Sequence, residues 1–162
     1  MMIKPWIENI SWDDCKHGWH HDAGENSMLI QIADPATFFP DPKFAFKEVH
    51  QFEFLDAEDS DIKEYGEEPL INDQQAETIV QLLQHALANH MNIVVHCHAG
   101  ICRSGAVAEV GVMLGFRDTE KFRSPNLRVK HKMMKILGLT HDPDEAHNWR
   151  ADYRHHLTKS NM

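Results

Sequence analysis

No stretch of this 162-residue chain stays apolar for the roughly 20 residues that a membrane helix needs. Its opening, Met1-Met2-Ile3-Lys4-Pro5-Trp6, lacks the apolar core of a signal peptide. Cysteine is sparse, and Cys15, Cys97 and Cys102 do not form the framework of a secreted disulfide protein. These absences lead us to expect a cytoplasmic protein held in a reducing compartment, with no membrane partner. There is no internal repeat, no low-complexity tract and no linker-like break in composition, so residues 1–162 read as a single domain. Zinc-ligand spacing is missing as well. His17, His20 and His21 lie near Cys15 and Asp22, and His155 and His156 are adjacent, but neither group is followed by a second ligand pair. We therefore expect neither metal nor cofactor.

Positive charge is scarce in the first part of the chain. Residues 1–90 carry 5 Lys/Arg against 18 Asp/Glu, a net of −13, whereas residues 91–162 carry 11 against 7, a net of +4. The overall acidity argues against a dedicated nucleic-acid binder. The positive part would attract a phosphorylated substrate, and it contains the most informative stretch of the sequence.

That stretch reads Val95-His96-Cys97-His98-Ala99-Gly100-Ile101-Cys102-Arg103-Ser104-Gly105. Ile93-Val94-Val95 before it suits a buried strand. The small and apolar run from Ser104 to Leu114 suits a buried helix. A loop from a strand into a helix N-terminus offers unsatisfied N–H groups and the positive end of a dipole, so it welcomes an anion of the phosphate or sulfate type. Gly100 allows a close backbone approach or an unusual backbone angle. Arg103 brings a planar fork that matches two phosphate oxygens. Cys97 would sit at the bottom as nucleophile, in surroundings that favour the thiolate. Ser104 could steady that thiolate when it leaves, and His96 would orient the loop. The phosphate-binding loop then comprises His96, His98, Ala99, Gly100, Ile101, Cys102 and Arg103 around Cys97.

The rest of the chain alternates strands and helices. Ser11 suits the cap of a short first helix, and Met28–Ile32 reads as a strand. Asn72-Asp73-Gln74-Gln75 resembles a capping box opening a helix to about Met91, with Ile79, Leu82, Leu83, Ala86 and Leu87 on one side. Another helix should span about Leu127–Leu137, and a last one should follow Asp142 with Trp149, Tyr153 and Leu157 four apart. The pattern predicts an α/β fold with a mainly parallel central sheet flanked by helices, the loop lying at the carboxyl end of a strand.

At His96, Cys97, Gly100, Arg103 and Ser104 the chain resembles the cysteine-dependent protein tyrosine phosphatase superfamily, whose signature is His-Cys-x5-Arg-Ser/Thr. The short chain is similar to the small, bacterial-type members of its dual-specificity branch. Ser27–Pro35 looks like an early strand and turn of that branch, and Ser124-Pro125-Asn126 before a helix is also similar. The resemblance implies a phosphotyrosine protein phosphatase II-like fold, a phosphocysteine intermediate, no metal, and an aspartic general acid on a loop after a strand. The matching place here is the strand-like run from Val49 to Phe54. Asp56 stands at its end, with Asp59 and Asp61 as alternative acids in the same acid-rich stretch. Ile101–Ser104 also resembles the loop of low-molecular-weight tyrosine phosphatases, whose acid is a late Asp-Pro. That makes Asp142 a further alternative, although Asp142-Pro143 equally suits a helix start. The expected substrates are phosphotyrosine and, in second place, phosphoserine or phosphothreonine in proteins. RNA 5′ ends, phosphoinositides and small phosphoesters would suit the same chemistry. A phosphate-binding module without turnover is the non-enzymatic alternative.

Overall fold

The computed structural model describes residues 3–141 and Glu145. Asp142 and the helix expected after it, with Trp149, Tyr153 and Leu157, lie outside the described residues. Strands β1 (Trp6–Ile10), β2 (Ser27–Ala33), β3 (Glu48–Glu53), β4 (Asn92–His96) and β5 (Arg117–Asp118) form one sheet in the order β3-β2-β4-β1-β5. Every pairing is parallel. The helices are α1 (Trp12–His17), α2 (Ile62–Tyr65), α3 (Asp73–Ala88), α4 (Arg103–Leu114) and α5 (Leu127–Ile136), with a 3₁₀ turn at Asp59–Asp61 before α2.

Both faces of the sheet are covered, which explains why β2 is buried at every residue and β4 is a run of branched apolar side chains. Ile93 and Val95 point to the larger core. There they join Ile7, Met28, Ile30 and Ile32 and the buried sides of α3, α4 and α5. Leu29, Val94 and Ile10 point the other way, onto Cys15 of α1 and Ala23. Burial there pushes the Cys15 thiol up to about 11, the mark of a core cysteine. Helix α4 packs unusually close to β1, because a Cβ at Gly111 would stand 2.8 Å from Ile7 Cδ1.

The helix starts obey local chemistry. Ser11 accepts from the Asp14 N–H and Asp14 returns the bond to the Ser11 N–H. Asn72 and Gln75 form the same reciprocal pair at α3. Asn126 caps α5 by accepting from the Val129 N–H. The carboxyl ends of β1, β2 and β4 converge, and the Cys97 loop leaves from the middle of that edge. This is where an open parallel α/β sheet holds its ligand.

Strand β1 departs most from the pattern read in the sequence. It is an interior strand, between β4 and β5, yet it contains Glu8 and Asn9, both buried. Glu8 pairs with His21 and lies 3.7 Å from the Lys121 ammonium. Asn9 reaches the Cys97 loop.

Candidate active site

The segment from Cys97 to Arg103 joins β4 to α4, and its shape is set by where its carbonyls go. His98 O accepts from the Trp12 N–H at 3.1 Å. Gly100 O accepts from the Asn9 side-chain amide at 2.7 Å. Ile101 O accepts from the Ser124 N–H at 3.2 Å, and Cys102 O from the Asn126 N–H at 2.9 Å. All four carbonyls thus point outward, at donors on the surrounding elements. In a planar trans peptide the following N–H points the opposite way. The N–H groups of Ala99, Ile101, Cys102 and Arg103 therefore turn toward the inside of the loop, as an anion requires. Gly100 makes the turn possible. Its φ is +76°, and a Cβ there would stand 2.4 Å from the Ile10 carbonyl carbon.

Inside the loop, Cys97 Sγ accepts from the Gly100 N–H at 3.3 Å and lies 3.2 Å from Ser104 Oγ. Cys97, Arg103 and Ser104 are all buried. Arg103 Nη1 donates to Asp34 Oδ1 and to Phe54 O, each at 2.8 Å. Its Nε is buried and has no protein partner among the described residues. The guanidinium is therefore fixed by one nitrogen, with the other side of its fork left for a ligand. A cavity of about 310 Å³ opens over this group, with Cys97, His98, Ala99, Cys102 and Arg103 in its floor and Asp34, Asp56 and Tyr65 in its wall.

Of the candidate acids, Asp56 is the one that borders this cavity. Its Oδ1 accepts from the Asn126 amide at 2.9 Å. Asp59 turns away and pairs with Arg128 at 2.6 Å. Asp61 caps the 3₁₀ turn by accepting from the Glu58 N–H at 2.8 Å. Asp142 lies outside the described residues. Burial, followed by the Asp56 charge, pushes the Cys102 thiol well above its ordinary range. Cys102 therefore stays protonated beside Cys97.

His96 is buried behind the loop, its Nδ1 3.3 Å from Cys97 O and its Nε2 without a partner among the described residues. Burial, reinforced by the Arg103 charge, lowers its value to about 4 against the pull of the Cys97 carbonyl. The ring is thus neutral, with its proton on Nδ1. A histidine whose folded value is depressed stabilises the fold fully above about 6.5, its unfolded value. That contribution fades as pH falls from 6.5 toward 4 and amounts to on the order of 3 kcal/mol in all. Urea unfolding at pH 7.5 and 4.5 should show this loss in the wild type and a clearly shallower loss in His96→Gln. Equal slopes in the two proteins would show that the ring charges freely in the folded state.

Sequence reading missed Asp34 and Tyr65. Asp34 had one visible signal, a carboxylate at the end of a strand and before Pro35. Tyr65 had none, since its place in the cavity wall depends on how the Asp56–Tyr65 segment folds back over the loop.

Residues 65–114, from Tyr65 through the end of α4, match the model of a family described as "Polymorphic toxin system, DSP-PTPase phosphatase". Among solved structures, the chain is similar to OH1 from the Orf virus, described as a tyrosine phosphatase with distinct structural features and triple substrate specificity. The two share 19% identity over 70% of this chain and 58% of that chain, with a TM-score of 0.44. No curated protein matches the sequence. Among the described residues, no helix is long and apolar enough to cross a membrane. The family match spans the Cys-x5-Arg loop between the buried strand β4 and the buried helix α4, the part of the chain that resembles the cysteine-dependent protein tyrosine phosphatase superfamily.

Proposed function

We propose that the protein hydrolyses phosphate monoesters in proteins, phosphotyrosine first and phosphoserine or phosphothreonine as well, through a phosphocysteine intermediate. One observation carries the reading. Cys97 Sγ, the half-free guanidinium of Arg103 and the Asp56 carboxyl share one small cavity. The phosphoryl oxygens rest on the loop N–H groups and on Arg103. The Cys97 thiolate attacks phosphorus from below as the bond to the leaving oxygen breaks. Protonated Asp56 gives that oxygen its proton. Asp56, now a carboxylate, takes a proton from water as the water attacks phosphocysteine. The sulfur–phosphorus bond breaks, inorganic phosphate departs, and the Ser104 hydroxyl steadies the returning thiolate. Asp34 keeps Arg103 in place and takes no proton in this scheme.

Hydrolysis of para-nitrophenyl phosphate that is insensitive to chelator tests the reading, and a protein without such turnover would refute it. Asp56→Asn tests the assignment of the acid. It should lower kcat roughly 10²-fold and remove the basic limb of the pH–rate profile. If the limb persists in Asp56→Asn and vanishes in Asp59→Asn or Asp61→Asn, the acid has been misassigned.

A further inference from the structure

Four loop carbonyls must point outward for the loop to bind an anion, and three of their donors are backbone N–H groups. Gly100 O is the exception, because its donor is a side chain, Asn9 Nδ2, at 2.7 Å. The same nitrogen also donates to Phe122 O at 3.1 Å. Asn9 is 3% exposed, and its own Oδ1 is buried without a hydrogen-bond partner among the described residues. A residue selected for stability alone would not be left half-satisfied in the middle of a sheet. What it does accomplish is specific. With Gly100 O held outward, the next N–H, that of Ile101, is forced inward. Gly100 also carries the positive φ of the loop and the N–H that reaches Cys97 Sγ. No other side chain in the described residues bonds to this carbonyl.

We propose that Asn9 is a positioning residue of the phosphate-binding loop, holding the Gly100–Ile101 peptide in the orientation that presents its N–H to the phosphoryl group. The proposal rests on the phosphatase reading above. It separates Asn9 from the residues that touch substrate, because Asn9 acts from behind the loop and through one peptide plane. Asn9→Asp keeps the shape and replaces the donor with an acceptor facing two carbonyls. Asn9→Ala removes the donor without adding a charge.

The test is vanadate inhibition of para-nitrophenyl phosphate hydrolysis, measured well below each protein's melting temperature. Both variants should bind vanadate about tenfold or more weakly and raise KM, because a displaced loop N–H weakens every oxyanion contact it makes. A merely structural role would lower the melting temperature and leave vanadate inhibition and KM of the folded protein unchanged, and that result would overturn the proposal. Should neither variant fold, the Asn9 side-chain amide resonances of the wild type provide the readout. They should shift when vanadate binds, and resonances that stay in place would equally overturn the proposal. A wild type without turnover would sink the phosphatase reading itself, so the two failures are distinguishable.

Discussion

Cys97→Ser should be folded and almost inert, with kcat lower by on the order of 10⁵-fold. Serine nearly matches cysteine in size, so the buried position tolerates it and the loop keeps its carbonyl ties to Trp12, Asn9, Ser124 and Asn126. The loss is chemical. A hydroxyl attacks phosphorus only when a base takes its proton, and among the described residues no base is hydrogen-bonded to Cys97 Sγ. Its neighbours are the Gly100 N–H and the Ser104 hydroxyl. His96 lies behind the loop, its protonated nitrogen directed at the Cys97 carbonyl. Turnover of para-nitrophenyl phosphate, measured beside the melting temperature, decides the matter. A variant that keeps a tenth of the activity would mean that the sulfur is not the nucleophile.

Arg103→Lys should cost roughly 10³–10⁴-fold in kcat/KM although the charge is kept. In the proposed reaction the guanidinium performs two tasks at once. Nη1 is committed to Asp34 and Phe54 O, while Nε and the remainder of the fork are left for the phosphoryl oxygens. An ammonium is a point donor and cannot span both sets of partners. It will either keep Asp34 and abandon the substrate or do the reverse. Both kcat and KM should suffer, because the fork binds the ground-state dianion and the transition state alike. If kcat/KM in Arg103→Lys stays within tenfold of the wild type, the fork geometry is not what the reaction uses.

Local rules carried the sequence reading a long way. The caps at Ser11 and Asn72, the branched run Ile93-Val94-Val95 and the apolar side of α3 are each encoded within a few residues, and each element formed there, although α3 ends at Ala88 and not near Met91. The loop was legible for the same reason, as Cys97, Gly100, Arg103 and Ser104 lie within eight residues. Strand β1 escaped notice because Glu8 and Asn9 break the apolar pattern that marks an interior strand, and only tertiary partners account for their burial. Which of Asp56, Asp59 and Asp61 borders the cavity was equally illegible. It turns on Asn126 and Arg128, about seventy residues downstream, which draw Asp56 and Asp59 in different directions. Asp34 belongs to the same class, since its meaning comes from Arg103 across the sheet edge.

The cup around the sulfur is assembled from segments that lie on either side of it in sequence. Asn9, Ile10 and Trp12 brace it from one side, Ser124 and Asn126 from the other, and the nucleophile lies between them in sequence. Strand β1 precedes β4 in the chain, yet its place is between β4 and β5 in the finished sheet, so it must wait for β4 before it can pair there. A nascent chain that has just exposed Cys97 still lacks the Ser124 and Asn126 donors that shape the loop around it. The loop can take its full shape only when residue 126 has emerged and both sets of donors are seated.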